Sequence, residues 1–333
     1  MTPIQECIIN KNTKLNPIWI MRQAGRYLPE FREIRAKNTN FIKLCLNENL
    51  SSEITLQPIK RFNFDAAIIF SDILMLPYGL GQDVKFEKGL GPKLGKLDLH
   101  MLENINKDEF NKKLNPIYKS ISNTSINPIL KNKDIIGFVG APWTILVYMI
   151  NKMSPKKNLS KEIFSDKLFI NKLLSVIEKF LKIHIENQIK AGATIIQIFD
   201  SWAGLLEENI SKFIYEPTLN LVNHVKKLNV PVICFPRGIK NYKNFCEVVK
   251  PDMVNIDYDV DPKKIIDEIQ IPVQGGLDPK VLLTNKENLH KETTKYLQVF
   301  KDHPYVFNLG HGILPETKID MVEELVKTVR DFK

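Results

Sequence analysis

Eight short apolar runs, each closing on polar or glycine residues, constrain what this chain can fold into more than any other feature. They are Ile18 to Met21, Ala66 to Phe70, Ile135 to Val139, Thr194 to Phe199, Val230 to Phe235, Met253 to Ile256, Pro272-Val273 and Val306 to Leu309. Continuous β-branched runs of this length predict strands buried on both faces, as in a parallel sheet. Segments of helical period lie between them. The clearest is Lys167 to Ala191, with Ile170, Leu174, Ile177, Leu181, Ile185 and Ile189 on one face and Gly192 placed to stop it. A polar helical stretch is predicted over Ala36 to Phe62, and a last helix after Pro315 through Ile319, Val322, Leu325, Val326 and Val329. Val84 to Leu99 reads as a hairpin excursion. Strands alternating with helices mean an α/β protein, and eight such units favour a single closed (β/α)8 TIM barrel. No linker or longer repeat interrupts it, so residues 1–333 are expected to form one domain. The active site of a barrel lies at the C-terminal ends of its strands.

Those strand ends are rich in chemistry. In order they carry Ser71-Asp72, Pro142-Trp143-Thr144, Asp200-Ser201-Trp202, Pro236-Arg237-Gly238, Asp257-Tyr258-Asp259, Gly275-Gly276-Leu277-Asp278 and Gly310-His311-Gly312. The first run breaks into a segment with four arginines in fourteen residues, Arg22, Arg26, Arg32 and Arg35. Gly25 permits a tight turn there, and Pro29 limits a helix entering from the N-terminal side. Guanidinium forks pair bidentately with carboxylates or phosphates, so this loop is either an anion clamp or a solvated basic loop. Asp72 is either a helix N-cap or a mouth carboxylate. Tyr148 reads by itself as a core tyrosine and Ser201 as a cap, whereas His311 between two glycines favours a functional role.

Composition excludes several classes. The chain has 333 residues, 44% hydrophobic and 26% charged, enough for one large core. The net charge of +9 is spread out, with no dense basic block of the nucleic-acid-binding kind, and fits an anionic substrate. The four cysteines form no C-x-x-C pair and read as buried or inert thiols of a reducing cytoplasm. The opening residues lack the apolar core of a signal peptide, and no apolar window is long enough to span a membrane. P-loop, dinucleotide, zinc and serine-hydrolase signatures are all missing, so nothing calls for a cofactor or metal.

The run W-I-M-R-Q-A-G-R-Y-L-P-E-F, followed by G-F-V-G-A-P-W-T-I-L-V-Y-M-I, closely resembles the two signatures of the uroporphyrinogen decarboxylase family. I-I-F-S-D-I-L, F-D-S-W-A-G, V-Q-G-G-L-D-P and F-N-L-G-H-G-I resemble further family motifs in the family's order. The resemblance implies a homodimer of barrels with facing mouths, and cofactor-free removal of CO2 from the four acetates of uroporphyrinogen III to give coproporphyrinogen III. It implies that Arg22, Gln23, Ala24, Gly25 and Arg26 meet the substrate, with Arg35, Tyr148, Ser201 and His311, around Asp72 as the central carboxylate. Asp72, Arg22 and Arg26 are the expected catalytic group. Phe31, the loop Pro236 to Lys240 and Gly276 depart from the family's usual residues.

The chemistry is coherent. A pyrrole acetate loses CO2 only if the ring can accept the electron pair, and protonating a ring carbon makes it able to. An ionised Asp72 could accept pyrrole N–H groups and stabilise the transient cation. Arginine is a poor proton donor because its pKa stays above about 12, which leaves an arginine-held acid or water. The rivals are a corrinoid or thiol methyltransferase of the same superfamily, which needs thiolate and histidine ligands for zinc, and a non-catalytic porphyrin- or RNA-binding protein.

Overall fold

The computed structural model describes all residues except 88, 98–101, 103, 156–158, 161, 162, 164 and 165. Seven of the predicted runs become strands: β1 (Ala66–Ile68), β4 (Asp134–Gly140), β5 (Ile195–Asp200), β6 (Val232–Pro236), β7 (Met253–Ile256), β8 (Val273–Gly275) and β9 (Tyr305–Val306). They form a seven-stranded sheet in the order β1-β4-β5-β6-β7-β8-β9, every pair parallel. Sequential order with parallel pairing forces each connection to return across the sheet, and long amphipathic helices make most of those returns. The predicted hairpin is present as β2 (Val84–Glu87) against β3 (Gly91–Leu94), the only antiparallel pair of named strands among the described residues. The end of that prediction, residues 98 and 99, lies outside the described residues.

The eighth run does not form a strand. Ile18 makes a single parallel bridge to Phe307. Phe307 N donates to Pro17 O at 2.8 Å and Trp19 N to Phe307 O at 3.3 Å. On the other side Asp65 N donates to Ile18 O at 2.9 Å, but Ile18 N donates to the Asp65 carboxylate at 2.7 Å. A side chain thus takes the bond that a strand carbonyl would accept, and the ladder stops. Arg330 Nη1, near the end of the last helix (Ile319–Asp331), lies 2.8 Å from the same carboxylate and ties that helix to this seam.

The helices start and stop where their sequence directs. Helix Lys167–Lys190 is capped by Asp166 and is followed by Gly192 at φ +120°, a conformation costly for any residue with a Cβ. The predicted stretch from Ala36 to Phe62 divides into the end of helix Pro29–Lys37, a short helix Phe41–Cys45 and helix Glu48–Phe62, the last two capped by Asn40 and Asn47. Pro29 occupies the first helical turn, where its missing N–H costs nothing. Trp19, Trp143, Phe64, Phe110, Phe180, Phe245 and Phe307 are fully buried. A polar line also runs through the apolar interior. Trp19 Nε1 donates to Gln274 Oε1 at 2.8 Å, and Gln274 Nε2 donates to Asn255 Oδ1 at 2.7 Å and Gln197 Oε1 at 3.3 Å. No helix of the described residues is long and apolar enough to cross a membrane.

Candidate active site

Because the sheet strands are all parallel, the polar residues that follow them share one end of the fold. Arg22 follows the eighth run in a tight turn, with Gln23 N donating to Ile20 O at 3.1 Å. Its φ of +60° is unusual for a residue with a Cβ and turns the chain sharply. The Arg22 stem lies against Gly312, where an added Cβ would sit 2.4 Å from Arg22 Cδ. Glycine there leaves the room the arginine occupies.

Asp72 follows β1. Its Oδ1 accepts from Leu74 N at 2.8 Å, an i to i+2 turn that precedes helix Met75–Gly79; the cap of that helix is Leu74, not Asp72 as the capping reading expected. Burial pushes its carboxyl from the usual 3.8 up to about 6, while the Leu74 N–H and the positive charge of Arg22 oppose the rise. One oxygen holds the turn, and the half-buried carboxylate lies in the field of the Arg22 charge. Tyr148, on helix Pro142–Asn151, lies within electrostatic reach of both Asp72 and Arg22, and burial raises its phenol pKa. Its ring meets Trp202 edge-on at 5.7 Å.

His311 is half-buried, and its imidazole is pushed down to about 4, first by burial and then by the charges of Arg237 and Arg22. It is neutral at pH 7. The Leu309–His311 segment presses on the end of β7: a Cβ on Gly310 would lie 2.3 Å from Tyr258 N. Arg22 lies within electrostatic reach of Asp72, Tyr148 and His311 and so links the four into one constellation.

The other expected residues differ. Arg26 is exposed, and its guanidinium makes no hydrogen bond or ion pair among the described residues. The Arg35 guanidinium bonds Asn38 O and stacks 5.8 Å over Phe41, with Cys45 within electrostatic reach of both Arg35 and Asp72. Ser201 is half-buried beside Asp200 and Trp202. Ala24 and Gly25 shape the loop; a Cβ on Gly25 would lie 2.9 Å from Arg22 O. The Gln23 side chain points inward, fully buried, with Nε2 donating to Ala66 O at 2.9 Å and Oε1 accepting from Ile20 N at 3.3 Å. It fastens the arginine loop to β1, and the Gln23 backbone is engaged as well, its N donating to Ile20 O and its O accepting from the Tyr27 hydroxyl at 2.8 Å.

Two residues at the mouth were not among the sequence candidates. Asp200 is buried, accepts from Thr144 Oγ1 at 2.6 Å, and is pushed up by burial to about 7. Arg237 lies beside His311, with its Nε 3.4 Å from Asp257 Oδ2. Ser71 Oγ, Asp200 Oδ2, Trp202 Nε1 and Arg237 Nε are buried at these strand ends without a hydrogen-bond partner.

Comparison with known proteins identifies the family. The model of the family "Uroporphyrinogen decarboxylase (URO-D)" matches residues 2–332. A uroporphyrinogen decarboxylase of Rickettsia bellii is 42% identical over 328 residues, spanning 95% of each chain. One from Rickettsia felis is 40% identical over 332 residues, spanning 98% of this chain and 96% of its own. Among solved structures, a methyltransferase from Methanosarcina mazei superposes with a TM-score of 0.78, covering 99% of this chain and 98% of its own. At 15% identity that likeness speaks for the fold alone.

Proposed function

The chain belongs to the uroporphyrinogen decarboxylase family, and from that membership we propose how its strand ends decarboxylate uroporphyrinogen III. The enzyme is a carboxy-lyase of porphyrin and heme biosynthesis, removing CO2 from four acetate side chains to leave four methyls. The observation that carries the site assignment is a half-buried carboxylate, Asp72, set within the field of Arg22, whose charge also reaches a neutral His311.

Each role follows from that geometry. The substrate brings eight carboxylates, and Arg22 with the unpaired Arg26 offsets their repulsion by bidentate contact. With a pKa of about 6, Asp72 is ionised at pH 7 and accepts the pyrrole N–H groups. When a ring carbon is protonated, the ring becomes cationic and Asp72 stabilises it. The C–CO2 bond then breaks, its electron pair enters the ring and CO2 departs. A second proton converts the exocyclic methylene to methyl, and the first proton leaves the ring carbon to restore the pyrrole, so that one proton is taken up per CO2 released. The partly enclosed site strengthens this attraction relative to water. His311, being neutral, exchanges hydrogen bonds with the substrate without adding charge repulsive to the cation. Tyr148 and Ser201 line the wall, and Arg35 is a second-rank carboxylate partner. The proton comes from an acid or water held by an arginine.

The same reading extends to the rest of the molecule. Residues 1–333 act as one domain, supported by a family match running from residue 2 to 332. The sheet closes as an eight-stave (β/α)8 barrel with Pro17 to Ile20 as the eighth stave, supported by its bonds to Asp65 and Phe307. The enzyme works as a cytoplasmic homodimer with facing mouths, supported by the family resemblance. The test is anaerobic incubation of the purified protein with uroporphyrinogen III, scored by the carboxylate number of the product. A tetracarboxylate is expected; unchanged octacarboxylate with a folded protein refutes the reading.

A further inference from the structure

We propose that Arg237 is a further carboxylate anchor, holding one substrate acid group at the mouth beside His311. The proposal rests on the decarboxylase reading and deepens it. Three observations support it. First, the loop that carries Arg237 is held by backbone on both sides: Arg237 N donates to Asp200 O at 3.1 Å, and Gly204 N donates to Arg237 O at 3.0 Å. A Cβ on Gly204 would lie 2.5 Å from Gly238 O, so the loops after β5 and β6 interlock and Arg237 is presented from a fixed base.

Second, only one edge of the guanidinium is engaged. Nε lies 3.4 Å from Asp257 Oδ2, near enough for ion pairing, yet it makes no hydrogen bond. The Nη atoms bond nothing among the described residues, and the side chain is 30% exposed. A planar fork fixed along one edge and open along the other suits a carboxylate arriving from the mouth. Third, Arg237 is joined to the known constellation through packed backbone. Asp257-Tyr258 presses against Gly310, His311 follows Gly310, and Gly312 carries the Arg22 stem. Arg22 and Arg237 therefore flank His311, and the charges of both depress its imidazole.

The probe is uroporphyrin I, the stable octacarboxylate, titrated by quenching of tryptophan fluorescence, with turnover of uroporphyrinogen III measured in parallel. Arg237→Gln is expected to weaken uroporphyrin binding about tenfold, equal to about 1.4 kcal/mol, to raise KM similarly, and to leave kcat within about twofold. The His311 titration, followed by NMR, is expected to move upward in the same variant. Arg237→Lys keeps the charge and the Asp257 pair but cannot serve both partners at once, and an affinity loss of about threefold is expected. Wild-type affinity in folded Arg237→Gln, or an unmoved His311 titration, overturns the proposal. Should Arg237→Gln fail to fold, Arg237→Lys decides: wild-type affinity overturns it and a loss supports it. Failure of the wild-type enzyme to decarboxylate strikes the functional reading instead, because uroporphyrin binding is scored separately.

Discussion

Replacing Asp72 with asparagine should make the protein a far poorer catalyst and a more stable fold. Asparagine keeps an oxygen able to accept the Leu74 N–H, so the turn after β1 should survive. What it loses is a negative charge. At about 4 Å from a cationic ring and an effective dielectric constant near 20, that charge contributes about 4 kcal/mol, or roughly a thousandfold in turnover. The stability effect runs the other way. Burial lifts the Asp72 carboxyl from 3.8 to about 6, so above that pH folding must ionise a group that resists it. About two units correspond to an upper value of about 3 kcal/mol against the native state. The acid's folded pKa is raised, so the destabilisation is absent below about pH 4, grows between the two values and is complete above about pH 6. Asp72→Asn should thus gain stability in denaturant titrations at pH 7.5, gain nothing at pH 4, and lose about three orders of magnitude in kcat. Near-wild-type turnover would remove Asp72 from its role. A stability gain independent of pH would refute the account of its burial.

Arg26→Ala should raise KM about tenfold with little change in kcat or unfolding midpoint, because the side chain has no partner within the protein; a change in stability alone would make it structural. Gly312→Ala should fold but lose about tenfold in kcat/KM, since the added methyl displaces the flexible Arg22 stem. Gly310→Ala, whose methyl meets the Tyr258 backbone, should instead unfold at lower denaturant. The kcat/KM profile should rise through about pH 6 as Asp72 ionises and then stay level, with no limb from His311 near neutrality; a profile flat from pH 5 to 8 would count against Asp72.

The strands were legible because β-branched runs buried on both faces have few other places to go. Met253–Ile256 coincides with its run. Ile18 to Met21 was legible as a buried stave but not as an interrupted one, because the Asp65 carboxylate that breaks its ladder lies forty-seven residues away. Asp72 could be read as cap or as mouth carboxylate; the helix starts from Leu74 instead, and Asp72 holds the turn before it. Gln23 lies inside an arginine-rich motif that gives no sign of which side chain turns inward; the turn at Arg22 decides it. Asp200 was hidden behind its neighbour Ser201, and only its buried, half-satisfied carboxylate draws attention to it. Arg237 sits in Pro-Arg-Gly, which looks like an ordinary turn until Asp257 and His311 are brought beside it. Distance along the chain, more than residue type, hid what was missed.

The amide line inside the sheet bears on how such a molecule can vary. Strands rich in valine and isoleucine can slide past one another and still bury oil against oil. Trp19, Gln274, Asn255 and Gln197 forbid that, because a slip of one residue would leave several hydrogen-bonding groups facing hydrocarbon. The line works like the pins of a lock set below the mouth, indexing the staves so that residues dozens of positions apart emerge side by side. The loops above it are then free to drift in sequence, while the stations from which they spring stay aligned. Converting Gln274 to leucine would therefore be felt at the mouth, in the spacing of groups that never touch it.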